Sequence, residues 1–159
     1  MPQIAESAFL APSVVVIGDV VIGAEASVWP MCVLRGDVAP IRIGAKTNLQ
    51  DGTIVHVTEG GQGTIIGDGV TIGHGVLLHD CTVEDGAFIG MRATMMDGAR
   101  VERGGMLAAG ALLTPHKVVK SGQIWAGSPA KYWRDINDAE RAEFTFRAEE
   151  YVMLAKAYQ

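Results

Sequence analysis

A chain of 159 residues is long enough for one domain and leaves little room for two. With 48% apolar residues and a mean hydropathy of +0.22 it is not a disordered chain, and no apolar stretch approaches the roughly 18 residues that span a bilayer. Thirteen Lys and Arg against eighteen Asp and Glu give a net charge of −5, a poor footprint for nucleic acid, while two cysteines and no signal-like N-terminus point to a reducing, cytoplasmic setting.

From the N-terminus the residues fall into sixes. The lead residue of each hexad is Ile4, Leu10, Val16, Ile22, Val28 and Leu34. After three inserted residues come Ile43, Leu49 and Val55, and after five more come Ile66, Ile72 and Leu78. One deletion later the series runs Val83, Ile89, Met95, Val101, Leu107, Leu113, Val119 and Trp125. All twenty leads are apolar, and the fifth residue is small or short-branched in sixteen of the hexads. A period of six fits neither the 3.6 of a helix nor the 2 of an ordinary strand. It is the signature of a parallel β-helix, in which three short strands make one coil of a triangular prism. Lead residues then point into the prism, small fifth residues pack the corners, and the glycines help the chain turn. Twenty hexads predict just under seven coils, stacked about 4.8 Å apart.

The pattern stops near Pro129. Asn137-Asp138-Ala139-Glu140 reads as a capping box, and Phe144, Ala148, Tyr151, Val152, Ala155 and Tyr158 follow at helical intervals. The expected organisation is a β-helix over 1–130, then a linker and amphipathic helix over 131–159 that covers the prism. Trp29, Trp125 and Trp133 are expected to pack.

Every third hexad shares a face, so the hexads led by Leu34, Val55 and Leu78 lie on successive coils. His56 and His79 are second in theirs and should stand one above the other outside the prism, with Arg35 in the same column one coil earlier. His74 is third in its hexad, on the neighbouring face near a corner. Two stacked imidazoles supply two ligands, whereas a catalytic zinc takes three protein ligands and an open position. A threefold assembly would bring His74 of one prism against His56 and His79 of the next. His116 is expected to be an ordinary surface residue, and Cys32 and Cys81 small packing residues.

Several stretches resemble the γ-class carbonic anhydrase family in its bacterial short-loop branch. They are Ser27-Val28-Trp29, Val33-Leu34-Arg35-Gly36-Asp37 and Thr47-Asn48-Leu49-Gln50-Asp51-Gly52, followed in order by Val55-His56, Thr71-Ile72-Gly73-His74, Leu77-Leu78-His79 and Ile89-Gly90-Met91. Gly127-Ser128-Pro129-Ala130-Lys131 matches as well, but hexapeptide acyltransferases are similar there. The resemblance implies a left-handed β-helix and a homotrimer. It implies a zinc (or iron or cobalt) held by His56 and His79 of one subunit with His74 of its neighbour. It also implies reversible hydration of carbon dioxide to bicarbonate by a metal-bound hydroxide at the subunit interface. By the same likeness Arg35 and Asp37 form an interface ion pair supported by Asp51, Gln50 hydrogen-bonds the metal-bound water, and Tyr151 belongs to the substrate or interface surroundings. Arg35 is alternatively a holder of bicarbonate.

The chain departs from the family's best-studied type in its acidic groups. Val38 stands where the likeness calls for glutamate, and the long acidic loop is reduced to residues 57–63, leaving Glu59 as the candidate proton shuttle. Asp80 stands where glycine is common. Two other readings use the same scaffold: a metal-binding trimer with a structural role or with hydrolysis of another carbonyl substrate such as a thioester, and an acyltransferase.

Overall fold

Burial of one apolar residue in six, three times per coil, decides the architecture. The computed structural model describes residues 1–158 and is a left-handed parallel β-helix of about seven turns with one C-terminal helix. On the first face the partners in register are Ile4, Ile22, Ile43, Ile66, Val83, Val101 and Val119. The second runs Leu10, Val28, Leu49, Ile72, Ile89, Leu107 and Trp125, and the third Val16, Leu34, Val55, Leu78, Met95 and Leu113. Each insertion and the single deletion fall between these ladders. From Ile22 to Val119 every lead residue is buried; Ile4 is exposed, and Leu10, Val16 and Trp125 are half-buried at the two ends.

The glycines divide by position, and turning is one of their two uses. At the corners the fourth residue of the hexad takes a left-handed backbone, whether it is Gly86 and Gly104 or Glu25, Lys46 and Arg92. Second-position glycines answer a different need, close approach. A Cβ at Gly73 would lie 2.7 Å from the Met91 nitrogen, and one at Gly90 would lie 2.4 Å from the Ala109 nitrogen. No side chain fits where successive coils lie that close.

Beyond the last parallel coil the chain reverses. Residues Lys131–Asp135 form a strand antiparallel to Gln123–Ala126, in the segment expected to be a linker. The Leu112 carbonyl accepts from the Ala130 N–H, so the tail also closes the third face at that end. Trp133, expected to pack, is exposed, with the Arg134 guanidinium over its ring.

The helix Asp138–Lys156 begins with the capping box read from the sequence: the Asn137 side chain accepts from the Glu140 N–H, and the Glu140 carboxylate accepts from the Asn137 N–H. Its inward residues Phe144, Ala148 and Ala155 are buried, and it lies across the second face. Phe144 stacks on Phe88 at 4.8 Å between ring centroids, and Tyr151 meets Trp29 edge-on at 5.5 Å. Arg134 clamps Glu140 with two nitrogens, and this ion pair with the Asn137 backbone bond holds the Glu140 carboxyl down at about 2. Among the described residues no helix is long and apolar enough to cross a membrane.

Candidate metal centre

Strand alternation sends the second residue of each third-face hexad outward. Leu78 is fully buried, and its neighbour His79 stands outside the prism. The strands Ile54–His56 and Leu77–His79 pair in register with His56 opposite His79, so the imidazoles stack as the spacing predicts. Nδ1 of His56 lies 3.2 Å from Nε2 of His79.

The outer nitrogens have carboxylate partners. Asp37 Oδ1 is 3.0 Å from His56 Nε2, and Asp97 Oδ1 is 2.7 Å from His79 Nδ1. Arg35 pairs with the other oxygen of Asp37, and the Thr58 hydroxyl donates to the other oxygen of Asp97. Burial works to raise the Asp37 carboxyl, but hydrogen bonds from Arg35 and His56 outweigh it and hold the group below the usual carboxylate range. Hydrogen bonds from Thr58 and then His79 do the same for Asp97. An ionised carboxylate only accepts, so each outer ring nitrogen is the one that carries hydrogen. With one hydrogen on each ring, the two inner nitrogens then face each other with lone pairs, an arrangement that a cation between them would satisfy. Two imidazoles at the ~2.0–2.1 Å bond lengths of tetrahedral zinc would have nitrogens roughly 3.3–3.4 Å apart, close to the separation found.

His74 lies apart, half-exposed just before the corner that joins the second and third faces. Its Nδ1 is 3.0 Å from Asp51 Oδ2. Within the chain Asp51 thus stands with His74. Among the described residues no group of three or more His, Cys, Asp or Glu side chains within the chain is arranged to hold a metal. Beside His74 a cavity of about 380 Å³ is lined by Gln50, Phe88, Met91, Arg147 and Tyr151. Gln50 is buried, its amide donating to Asn48 Oδ1. Burial, with the Asp51 charge adding to it, raises the Tyr151 hydroxyl.

Glu59 is exposed at the tip of loop 57–63, and Val38 is exposed one residue after Asp37. Cys81 is buried with its thiol pushed up to about 12, and Cys32 likewise to about 11, both chiefly by desolvation. Sequence reasoning missed Asp97 and Thr58. The only signal was columnar: Asp97 is third in the hexad led by Met95, one coil beyond His79.

No family model matches the chain. Gamma carbonic anhydrase 1, a mitochondrial protein of Arabidopsis thaliana, is 49% identical over 99% of this chain, which spans 59% of that relative's length. A protein of Geobacillus kaustophilus named carbonic anhydrase is 42% identical over 99% of this chain and 86% of its own. Among solved structures, a hexapeptide transferase family protein from Anaplasma phagocytophilum matches with a TM-score of 0.95 at 47% identity, covering 99% of this chain and 93% of its own. The stacked imidazoles and these identities along nearly the whole chain lead to one assignment: the chain belongs to the γ-class carbonic anhydrase family.

Proposed function

We propose that the chain is one subunit of a homotrimeric, metal-dependent carbonic anhydrase that interconverts carbon dioxide and bicarbonate. The observation that carries this reading is the pair of inner nitrogens, His56 Nδ1 and His79 Nε2, 3.2 Å apart with each outer nitrogen on a carboxylate. The names of the relatives support the reaction. Those two nitrogens would hold the cation from one subunit and Nε2 of His74 from a neighbour, its Nδ1 being engaged by Asp51. Zinc is the expected ion, and imidazole ligation also suits iron or cobalt. When bound, the metal supplies Lewis acidity that lowers the pKa of a coordinated water from 15.7 to about 7.

The chain's own residues do the rest. Asp37, Asp51 and Asp97 orient the three rings and draw a ring hydrogen to the nitrogen facing away from the metal. Ile17, Ile54, Leu77 and Met96 form an exposed apolar surround on the third face; a neighbouring prism laid over them would exclude water from the site. Gln50 lines the cavity beside His74, where its amide would hydrogen-bond the water held at the metal, while Arg35 offers its charge to bicarbonate. Glu59 relays protons from the loop tip to solvent. The buried thiols Cys32 and Cys81 fit a reducing compartment, the cytoplasm.

Light scattering, metal analysis and a carbon dioxide hydration assay on anaerobically purified protein test this together. The expected result is a trimer with about one ion per chain and hydration that chelation abolishes and metal restores. A trimer that binds metal without hydrating carbon dioxide would leave the structural or thioester reading. Likeness to the Anaplasma hexapeptide transferase family protein favours a second reading, acyl transfer; metal-free protein with affinity for acetyl-coenzyme A would establish it over the first.

A further inference from the structure

Loop 57–63 replaces a hexad boundary between the coils of His56 and His79, and it is fastened on both sides of His79. Val57 is buried in the core cluster, so the following residue, Thr58, leaves the prism in a fixed direction. The Thr58 carbonyl accepts from the Gly61 N–H at 3.0 Å, closing a tight turn. Its hydroxyl donates to Asp97, whose other oxygen is 2.7 Å from His79 Nδ1. At the far end of the loop the Gly63 N–H donates to Asp80 Oδ1 at 2.9 Å. Asp80 is buried, follows His79 directly and adopts a left-handed backbone with φ of 45°. Gly61 lies so close to it that a Cβ there would fall 2.4 Å from the carboxylate.

We propose that loop 57–63 is a brace for His79, in which Thr58 fixes Asp97 and Asp97 fixes the imidazole with Nε2 turned toward His56. The proposal rests on the reading of His56, His74 and His79 as metal ligands. Thr58 and Asp97 are positioning residues, acting through His79. A ring with one nitrogen tied to a carboxylate loses rotational freedom and gains basicity at the other, and removing such a partner typically weakens metal binding 10–100-fold. Thr58 acts one bond further out, and its loss releases one oxygen of Asp97 to water.

The test measures Co²⁺ and Zn²⁺ affinity of the assembled full-length protein by competition with a chromophoric chelator, alongside the visible spectrum of the Co²⁺ form. Asp97→Asn is expected to weaken affinity about 10–100-fold and to alter the Co²⁺ bands. Thr58→Val, nearly isosteric, is expected to weaken it several-fold, and Thr58→Ser to restore it. A merely structural role would lower thermal stability and leave affinity and spectrum unchanged. Wild-type affinity and spectrum in both Asp97→Asn and Thr58→Val, with metal lost in His79→Ala, would overturn the brace and keep the ligand assignment. Full metal occupancy in His79→Ala, or no binding by the unaltered protein, would overturn the ligand assignment and the brace with it.

Discussion

His56 and His79 stand on strands, at registered positions of adjacent coils, whereas His74 stands near a corner with one carboxylate beside it. On the strands the backbone ladder fixes where each ring begins, and a second layer fixes where it points: Arg35 holds Asp37, and Thr58 holds Asp97. At the corner Asp51 holds His74 and is itself half-exposed. One scaffold is thus used in two ways. A strand position gives repeatable spacing between two side chains of the same chain, as the proposed ligand pair needs. A corner position gives reach away from the prism, the property that the proposed contribution of His74 to a neighbour's site requires.

The sharpest way to break this contrast is inside one strand. His79→Ala removes a proposed ligand from outside the prism, and the expected outcome is loss of bound metal, read by elemental analysis, with the melting curve of the chelator-treated protein little changed. Leu78→Ala, one residue earlier and fully buried, is expected to cost about 2–5 kcal/mol, measured by denaturant unfolding. Retained metal in the first variant would remove the ligand from the site; an unchanged midpoint in the second would remove the residue from the core.

A smaller effect sharpens the contrast at the corner. Asp51→Asn leaves His74 in place but weakens the acceptor on its Nδ1, and metal affinity is expected to fall about 10–100-fold. If the proposed trimer, followed by sedimentation, dissociates as the metal is lost, the corner histidine is tied to assembly.

The smallest effects concern the helix. Asn137→Ala should cost about 0.5–2 kcal/mol through the lost cap. The Glu140 carboxyl, held at about 2 against an ordinary value of 4.5, favours the folded state above pH 4.5. That contribution declines as the solution is acidified below 4.5 and is gone once the pH has passed through about 2. Fluorescence of Trp29, which Tyr151 covers, follows the helix through the transition; a signal flat from pH 5 to 2 would detach the ion pair from docking.

Most of the fold was legible because the core is written in a single position of the repeat. Insertions after Leu34 and Val55 did not obscure it, since a β-helix extrudes extra residues at corners and resumes its ladder: Leu34 still pairs with Val55, and Ile43 with Ile66. The stacking of His56 on His79 followed from the same count. The reversal at Lys131–Asp135 did not, because its residues continue no hexad and the strand is defined by its partner alone. Nor did the carboxylate partners. Asp97 reaches His79 from the shortened side of the prism, where the five residues Leu78 to Thr82 replace six, and Thr58 depends on a turn whose shape is set by Gly61 and Asp80. Side chains that meet across coils through a loop leave no periodic trace.

The antiparallel strand at Lys131–Asp135 limits how this molecule can change size. A new coil needs a parallel template, and the strand after Gln123–Ala126 offers one running the opposite way. Extra repeats appended behind it would find no surface to continue. Lengthening by duplication, natural or engineered, must therefore be spliced upstream of Gln123 or added before the first coil at Gln3–Ile4, whose outer edge still runs in the solenoid's own direction.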